Sequence, residues 1–461
     1  MDADLRSIAS ARRSAEKAWE AYLAFRGTNA AAVDQIVEAM ARSIEIEAER
    51  LAQLAVDETG HGNVPDKRIK NLFNALGVAE WLRGVKTLGL LWRDETSRIA
   101  AIGEPMGVVA ALIPVTNPTS TIIYKALSAV KAGNAIVCAP HPRGVKCGQA
   151  TVAVLARAAE QAGAPANLIQ CLDEVTLQGT VELMRHRRTS MVMATGSSDM
   201  VRAAYSAGKP SLAVGPGNVP AYVHRSVSDR IGEVAEQILT SKSFDYGTAC
   251  VAEQNVIADQ PIARQLKHEL SLRGAYFCTR GEADRLSGVI FDQNGGFVTE
   301  NVGQSAHRLA SLAGFEVRTD ARVLITELDA IGRGTQLSAE KLNPVLGWFE
   351  TRNAAAGIAA AGDTVRFGGW GHSCVIHCDD PDVITEYSRL PVGRVIVNTP
   401  ALSGGMGFST ALEPSFMLGT GTASGSIVSD NVTALHLINI KRVAYESRPW
   451  RDLYEIYGTA G

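Results

Sequence analysis

Apolar side chains recur at helical spacing through the first ninety residues, with polar residues between them. The pattern is clearest over Ala31–Leu54, where the apolar positions fall on one face of a helix. We therefore predict that this part of the chain is helical and that its first helix covers Asp4–Phe25.

The pattern changes between residues 107 and 215, where short apolar runs alternate with longer amphipathic stretches. The runs predict strands, and they are Val108–Ile113, Ala135–Ala139, Leu168–Leu172, Ser190–Ala194 and Ser211–Val214. The stretches predict helices, and they are Thr121–Lys131, Lys146–Ala162, Gln178–Arg187 and Ser198–Ala207. Strands and helices in alternation predict a parallel sheet covered on both faces. Ligands of such sheets bind at the carboxyl ends of the strands, so the turns there are candidate sites.

The same alternation resumes from Asn218 to about Thr399 and predicts a second α/β unit. Its apolar runs include Arg322–Thr326, Cys374–Ile376 and Arg394–Val397. The fold class is therefore α/β, with two doubly wound units. Near the end of the chain, Leu435–Val443 predicts a strand or a helix that packs on a neighbour.

Composition narrows the class of protein. At 461 residues, with 46% hydrophobic and 20% charged residues, the chain is typical of a globular enzyme of two or three packed units. A net charge of -3 gives no reason to expect nucleic acid or an anionic membrane as a partner. The N-terminus lacks the pattern of a signal peptide, and no apolar stretch approaches the length of a membrane span. We therefore expect a cytoplasmic protein whose seven cysteines are free thiols.

Cys250 is a candidate nucleophile. It follows the segment Ser243–Ala249, in which Gly247 permits a tight turn and small residues leave room around the sulfur. A thiolate there would be a strong nucleophile if a helix start or a nearby cation lowered its pKa. The alternative is a buried cysteine that acts as a small hydrophobic residue.

Asn117 lies between Pro114 and Pro118, in the loop after the first predicted strand of the parallel sheet. An amide side chain fixed in a rigid loop can donate a hydrogen bond to a developing oxyanion. The alternative is an Asx-type turn before Pro118.

Two further turns are candidate cofactor contacts. Gly196 and Ser197 stand between a predicted strand and a predicted helix, and amides at a helix N-terminus are suited to a phosphate. Glu340 lies ahead of the proline turn at Pro344, where its carboxylate could bond a ribose hydroxyl. The alternative for Glu340 is a solvated surface residue.

Taken in order, these motifs resemble the aldehyde dehydrogenase superfamily, and in particular its CoA-acylating branch. The motifs are Asn117 in its proline-flanked loop, Thr195–Ser197, Gly215–Pro220, Phe244–Cys250 and Glu340–Val345. The stretch Met200–Tyr222 is highly specific, as is Val397–Pro400 followed by Leu418–Gly421. The resemblance runs from about Ala9 to Val443, which is nearly the whole chain.

The resemblance implies a role for each motif. Cys250 matches the catalytic cysteine, and Asn117 with the Cys250 backbone N–H matches the oxyanion hole. His372 matches a histidine typical of the acylating branch, near the acyl-transfer site. The residues that the resemblance places at a nicotinamide cofactor are Thr116, Pro140, His141, Arg143, Gly196, Ser197, Gly215, Glu340 and Pro344. Glu340 matches the carboxylate that orients the nicotinamide ribose.

The resemblance also implies a domain plan. Residues 1–213 would form a cofactor-binding domain to which 400–425 returns, and 214–399 a catalytic domain. Residues 94–106 and 426–461 would form oligomerisation elements of a homodimer or homotetramer, with Thr96–Ile102 as an arm and the C-terminal strand crossing to a partner. Packaged relatives in bacterial microcompartments often carry a short amphipathic tag. No such tag is evident here, because Asp4–Phe25 reads as the first helix of the fold.

Val214 distinguishes acyl transfer to CoA from hydrolysis. Hydrolytic relatives generally carry a glutamate in the turn Glu-Leu-Gly-Gly-Lys, and Val214 occupies that position here. A general base supplies about 10²–10⁴-fold in rate, so water without one is a poor acyl acceptor, whereas a thiol needs less help. The expected reaction converts a short-chain aldehyde, NAD(P)+ and coenzyme A reversibly to acyl-CoA through a Cys250 thioester. The alternatives are a hydrolytic enzyme that makes a free acid and a catalytically silent protein that keeps the fold.

Two positions depart from the family pattern. Tyr246 stands where many acylating relatives have asparagine. Its phenol would narrow the substrate pocket or donate a hydrogen bond to a polar substrate, which suggests sulfoacetaldehyde as an alternative to acetaldehyde. The other interpretation is that Tyr246 is a packing substitution without effect on the choice of substrate. The cofactor turn at His141–Arg143 lacks the lysine usual in hydrolytic relatives and carries no acidic residue that would exclude a 2′-phosphate. We favour NAD, with NADP as the alternative.

His372, Cys374, His377 and Cys378 have the composition of a metal cluster. On a strand, however, residue 377 faces away from the other three, and the spacing does not match a zinc finger. We therefore expect no metal site.

The run Gly419–Gly425 is no dinucleotide fingerprint, because no strand–turn–helix context surrounds it.

Overall fold

The computed structural model describes residues 2–458. Its first part is helical, with α1 over Ala3–Phe25, α2 over Ala30–Thr59, α3 over Val64–Leu72 and α4 over Val78–Arg83. Local signals set these bounds. The Asn29 side chain accepts from the Ala32 N–H at the start of α2, and Gly60, with φ of +71°, ends it. Asn63 caps α3 in the same way, by accepting from the Asp66 N–H.

A hairpin follows the helices. Strand β1 covers Gly89–Asp94, strand β2 covers Ile99–Pro105, and the two pair antiparallel. The segment Thr96–Ile102, predicted to be an arm, therefore forms the turn and the first half of β2.

The next part of the chain is the first α/β unit. Its elements are β3 (Val108–Ile113), α5 (Pro118–Lys131), β4 (Ala135–Pro140), α6 (Val145–Gln161), β5 (Ile169–Cys171), α7 (Leu177–Arg185), β6 (Thr189–Thr195), α8 (Ser198–Tyr205) and β7 (Ser211–Val214). The strands form one parallel sheet, as predicted, and their order is β5-β4-β3-β6-β7. Helix α5 begins earlier than its apolar pattern, because Pro118 fits the first position of a helix, where no N–H is needed.

The second α/β unit follows without a break. Its elements are β8 (Val219–Val223), α9 (Ile231–Ser243), β9 (Glu253–Asp259), α10 (Gln260–Leu272), β10 (Ala275–Cys278), α11 (Arg280–Ile290), α12 (Ala306–Leu312), β11 (Val323–Glu327), β12 (Val345–Thr351), α13 (Ala354–Thr364), β13 (Gly371–His377), α14 (Pro381–Tyr387) and β14 (Val392–Val397). Its seven strands are parallel, in the order β10-β11-β12-β9-β8-β13-β14. The two doubly wound units of the predicted fold are thus confirmed.

The remaining elements are α15 (Ala401–Gly405), β15 (Ile438–Ala444) and α16 (Asp452–Tyr457). For the region 435–443 the sequence predicts a strand or a helix, and in the structure it is mainly the strand β15. In this chain β15 pairs antiparallel with β2, so that β1, β2 and β15 form a three-stranded sheet. Side chains of β1 and β15 are exposed along almost their whole length.

The chain after residue 400 packs on both units. Leu402 and Met406 share a cluster with Val251 of the second unit, whereas Met417 and Val432 join the buried core of the first. None of the helices within residues 2–458 has the length and apolar character needed to cross a membrane.

Candidate active site

The carboxyl ends of the first sheet bring together the turns that the sequence singled out. Asn117 follows β3, His141–Arg143 follows β4, Gly196 and Ser197 follow β6, and Gly215 follows β7. Because all these strands are parallel, the four turns lie along one edge of the sheet. The strand order reverses its direction at β3, so this edge has the crevice where ligands of doubly wound sheets bind.

Cys250 lies in the turn between α9 and β9, and its sulfur meets a histidine of the second unit. The distance from Cys250 Sγ to His372 Nε2 is 3.2 Å. On the other side of the ring, His372 Nδ1 lies 3.1 Å from Ser373 Oγ. Cys250 is partly exposed, as is Cys171, whereas the other five cysteines are buried. The structure therefore places a partly exposed thiol against an imidazole.

Glycine at position 217 makes this contact possible. A Cβ at residue 217 would lie 2.4 Å from the Cys250 carbonyl oxygen and 3.0 Å from His372 Cδ2. The Gly217 N–H also donates to Glu340 Oε1 at 3.0 Å. The turn after β7 thus passes directly over Cys250 and is tied to Glu340, which is buried rather than a solvated surface residue.

Asn117 reaches the same site from the first unit. Its Nδ2 donates to the Thr248 carbonyl at 3.2 Å and to Thr116 Oγ1 at 3.1 Å. Thr248 is two residues before Cys250, so the amide N–H groups of Asn117 point toward the turn that carries the sulfur. Pro344 lies on the other side of this turn, since a Cβ at Gly247 would lie 3.1 Å from its nitrogen.

Burial makes both partners of the Cys250–His372 pair neutral at rest. Burial raises the pKa of the Cys250 thiol to about 12; the Glu340 carboxyl adds to the shift and the Arg394 guanidinium opposes it. Burial lowers the pKa of His372 to about 3, and Arg394 lowers it further. Burial also raises the pKa of Glu340 to about 7. At neutral pH the site therefore holds a thiol beside an uncharged imidazole.

Sequence reasoning missed the cations around this site. Arg394 of β14 is buried, and it donates to Ser373 Oγ at 3.1 Å and to Thr420 Oγ1 at 2.8 Å. Lys67 and Lys70 of α3 are buried against Asp245 at 2.9 and 2.6 Å. These three residues, Lys67, Lys70 and Asp245, are called the lysine–aspartate cluster below. Their only sequence signal was the spacing of two lysines on one helical face.

A cavity of about 510 Å³ opens on His372 from the side of α8. Its wall contains Ser198 of α8, Gly215 after β7, and Gly419. A Cβ at Gly419 would lie 3.0 Å from His372 Cδ2, so glycine keeps this end of the cavity open. Ser197 caps α8 by accepting from the Met200 N–H. Small residues near His372 and a capped helix N-terminus farther out fit a long ligand with a phosphorylated portion.

The turn after β4 lies apart from Cys250 along the sheet edge. Pro140 is buried and His141 is exposed, while Arg143 Nη2 donates to the Thr59 carbonyl at 3.0 Å. A residue from α2 joins this turn: the N–H groups of Lys146 and Cys147 donate to the two carboxylate oxygens of Glu58 at 2.8 and 2.7 Å. The turn itself has no acidic residue, but the fold supplies one, which the local sequence could not reveal.

Comparison with known proteins identifies the family. The profile described as "Aldehyde dehydrogenase family" matches residues 2–275. The chain belongs to this family.

Three proteins illustrate the similarity. The aldehyde-alcohol dehydrogenase 2 of Entamoeba histolytica is 39% identical over 404 residues, which are 86% of this chain and 46% of the relative. The acylating sulfoacetaldehyde dehydrogenase of Cupriavidus necator is 34% identical over 435 residues, 93% of this chain and 87% of that protein. A crystal structure of an acetylating aldehyde dehydrogenase from Geobacillus thermoglucosidasius has 43% identity and a TM-score of 0.95, covering 97% of this chain and 98% of that chain. The chain spans about half the length of the aldehyde-alcohol dehydrogenases that it matches.

Val214 is buried in the core of the first unit. A Cβ at Gly419 would lie 3.3 Å from Val214 Cβ, so the Val214 side chain packs against the Gly419 segment of the cavity wall. An apolar side chain in this place cannot take a proton from water.

Tyr246 adopts a left-handed conformation with φ of +52°, directly after Asp245 at +47°. Asparagine adopts this conformation with less strain than tyrosine. The phenol is half-buried; burial raises its pKa, and the carboxylates of Asp66 and Asp245 add to the shift.

The histidines and cysteines around β13, namely His372, Cys374, His377 and Cys378, are all buried. Within residues 2–458, no group of three or more His, Cys, Asp or Glu side chains could hold a metal ion. Cys374 lies in an apolar core cluster, and both ring nitrogens of the buried His377 lack a hydrogen-bond partner.

Proposed function

We propose that this chain oxidises a short-chain aldehyde with a nicotinamide cofactor and transfers the acyl group from Cys250 to coenzyme A. The observation that carries the proposal is the 3.2 Å contact between Cys250 Sγ and a neutral His372, beside Val214 in place of a water-activating carboxylate. The names of the acylating and acetylating relatives support the same reaction.

The first half of the reaction uses Cys250 and Asn117. In the His372 tautomer with hydrogen on Nδ1, Nε2 is free to accept the thiol proton, and Ser373 Oγ can accept from Nδ1. As the proton leaves, sulfur adds to the aldehyde carbon and the carbonyl oxygen becomes an alkoxide. The Asn117 amide exchanges its bond to the Thr248 carbonyl for one to that oxygen, and the Cys250 backbone N–H donates to it as well. The nicotinamide cofactor, when bound, would supply the hydride acceptor, and loss of hydride from the adduct would leave an acyl thioester on Cys250.

The second half uses the cavity beside His372. A CoA thiol that enters past Gly215 and Gly419 reaches the thioester next to His372 Nε2. His372 first gives the proton taken from Cys250 to water and then takes the CoA thiol proton. The new sulfur attacks the acyl carbon, and the Cys250 thiolate leaves and recovers a proton from the imidazolium. One thioester is exchanged for another, so the step runs in both directions. Val214 offers water no base, and the thioester therefore lasts until CoA arrives.

The cofactor's contacts extend along the sheet edge. Gly196 and Ser197 at the start of α8 would hold the pyrophosphate. Thr116, Gly215 and Pro344 would line the nicotinamide end, where Glu340 would bond the ribose. The adenosine end would lie on Pro140, His141 and Arg143.

A coupled assay tests the proposed function. Reduced-cofactor absorbance is followed with acetaldehyde, propionaldehyde and sulfoacetaldehyde, each with and without CoA. We expect sustained turnover only with CoA, and the best aldehyde names the substrate, including the sulfoacetaldehyde suggested by Tyr246. Equal turnover without CoA would mean that water reaches the thioester, and the hydrolytic alternative would replace the proposal.

We infer that NAD is preferred over NADP, because of Glu58. Its carboxylate already accepts the free N–H groups at the start of α6, next to Arg143. A 2′-phosphate at this turn would meet a fixed negative charge, whereas a ribose hydroxyl could donate to it.

Glu58→Gln is therefore expected to shift the kcat/KM ratio of NAD to NADP toward NADP by about tenfold, since one repulsive charge is removed. Steady-state kinetics with both cofactors measure the ratio. The matched control is Asp57→Asn, which removes the same charge from an exposed neighbour on α2. An unchanged ratio in Glu58→Gln would contradict the inference.

We also propose a homodimer or homotetramer. The sheet of β1, β2 and β15 exposes large apolar side chains, among them Leu90, Trp92 and Ile440. A three-stranded sheet needs an apolar face packed on another surface, and a second copy of the chain is the partner that this arm would contact.

A further inference from the structure

The lysine–aspartate cluster lies directly behind Asn117. Lys67 and Lys70 stand three residues apart on α3, so both face the turn that ends at Cys250. Asp245 of that turn receives both ammonium groups on the same oxygen, Oδ2. The side chains of Lys67, Lys70 and Asp245 are 3%, 1% and 0% exposed, so water does not screen their charges.

Lys70 connects this cluster to Asn117. Its Nζ donates to Asn117 Oδ1 at 2.6 Å, to Asp245 Oδ2 at 2.6 Å and to Thr248 Oγ1 at 3.0 Å. An ammonium group has three N–H donors and accepts nothing, so all of its donors are used. Oxygen must therefore be the Asn117 atom that faces Lys70, because a flipped amide would turn its N–H groups against the ammonium. The NH₂ group is left to point toward the Cys250 turn.

Charge reinforces this orientation. The positive charge of the Lys70 ammonium lies directly against Asn117 Oδ1, at 2.6 Å, whereas Lys67 is paired with Asp245. Hydrogen bonds from an ionised donor are about twice as strong as neutral ones. An amide polarised at its oxygen is a better donor at its nitrogen, and polarisation along such a chain is strong where solvent is absent.

We propose that Lys70 is a positioning residue for the oxyanion site: it fixes the Asn117 amide with its N–H toward the reacting carbonyl oxygen and carries positive charge to it. This inference rests on the proposed role of Asn117. Lys67 does not share the function, because its Nζ bonds Asp245 Oδ2 and the Thr116 carbonyl, both at 2.9 Å, and makes no contact with Asn117 among the bonds of the described residues.

The test measures a step that needs neither nicotinamide nor CoA. Acylation of Cys250 by p-nitrophenyl acetate passes through an oxyanion at the same place, and the release of p-nitrophenolate in the first turnover gives its rate. CoA-dependent kcat with the best aldehyde is measured in parallel. Absence of aldehyde turnover in the wild type would count against the proposed function alone, because the acylation rates would still test Lys70.

The variants are Lys70→Met, Asn117→Ala, the double variant, and Lys67→Met as the matched control. We expect Lys70→Met to slow acylation about 30-fold, which is below the loss of about 10²–10³-fold for a missing oxyanion donor. In the Asn117→Ala background the same substitution should cost less than about threefold, since its target is gone. Lys67→Met should cost less than about threefold in the wild-type background. KM for the aldehyde and for CoA should change little.

Lys70→Gln covers the case in which the methionine variant does not fold. Its Nε2 can still donate to Asn117 Oδ1 without a charge, so acylation should be faster than in Lys70→Met and slower than in the wild type. Thermal unfolding of each variant separates loss of rate from loss of structure. The proposal is overturned if Lys70 and Lys67 variants slow acylation equally, or if the Lys70 substitutions cost as much with Asn117→Ala as without it.

Discussion

Replacing Cys250 with alanine is expected to abolish CoA-dependent aldehyde oxidation, with a loss of about 10⁴-fold or more in kcat. The acyl group is held on this sulfur between the two halves of the proposed reaction. Within residues 2–458 the one other partly exposed cysteine is Cys171. It lies on β5 at the outer edge of the first sheet, so it cannot take the place of Cys250. Reduced-cofactor absorbance measures the loss.

Mass spectrometry gives a second test of Cys250→Ala, because it detects the acyl group bound to the protein. Wild-type protein mixed with acyl-CoA, without cofactor, should gain the mass of one acyl group, and Cys250→Ala should gain none. Cys171→Ala is the control and should retain both the adduct and wild-type turnover. An acyl adduct on Cys250→Ala would show that the thioester forms elsewhere.

The second large effect is expected at His372. His372→Ala should lower kcat/KM for the aldehyde by about 10²–10³-fold at pH 7, the contribution of a positioned base. The pH dependence should change as well. Because burial lowers the pKa of His372 to about 3, the imidazole is an uncharged base at every assay pH, and the wild-type profile should be nearly flat from pH 6 to 9.

Without His372, the reaction depends on thiolate that forms by itself. Because burial raises the pKa of Cys250 to about 12, the thiolate fraction grows as pH rises through the assay range. It should grow about tenfold per pH unit, and the variant should recover activity at the same rate. The control is His377→Gln, whose side chain lies on the opposite face of β13. A variant profile parallel to that of the wild type would rule out His372 as the base.

Much of the fold could be predicted because its signals are local. The strands Val108–Ile113 and Ser211–Val214 were placed at their observed bounds, since a short apolar run followed by a turn needs no knowledge of distant residues. The last strand, β15, was harder to predict. Residues of β15 are mostly exposed, so their pattern alone did not decide between strand and helix.

The candidate active site shows the same difference between local and distant signals. Cys250 and Asn117 could be singled out as candidates because each lies in a motif within a single turn. Lys70, Glu58 and Arg394 were missed because each acts on a segment distant in sequence: Lys70 on Asn117, Glu58 on the start of α6, and Arg394 on Ser373. Charged residues are usually solvated, and only the tertiary contacts reveal that Lys70 and Arg394 are buried and that Glu58 is bound to another helix.

The strands of the three-stranded sheet β1, β2 and β15 are synthesised far apart in time on the ribosome. The hairpin of β1 and β2 is made early, but the strand that covers the edge of β2 is Ile438–Ala444. Lys441 meets Glu104 across 337 positions of sequence. Until that strand has been synthesised, the edge of β2 presents unpaired backbone groups to any other nascent chain nearby. The edge of β2 is therefore most exposed to pairing with a strand of another copy while neighbouring copies are still bound to the same polysome.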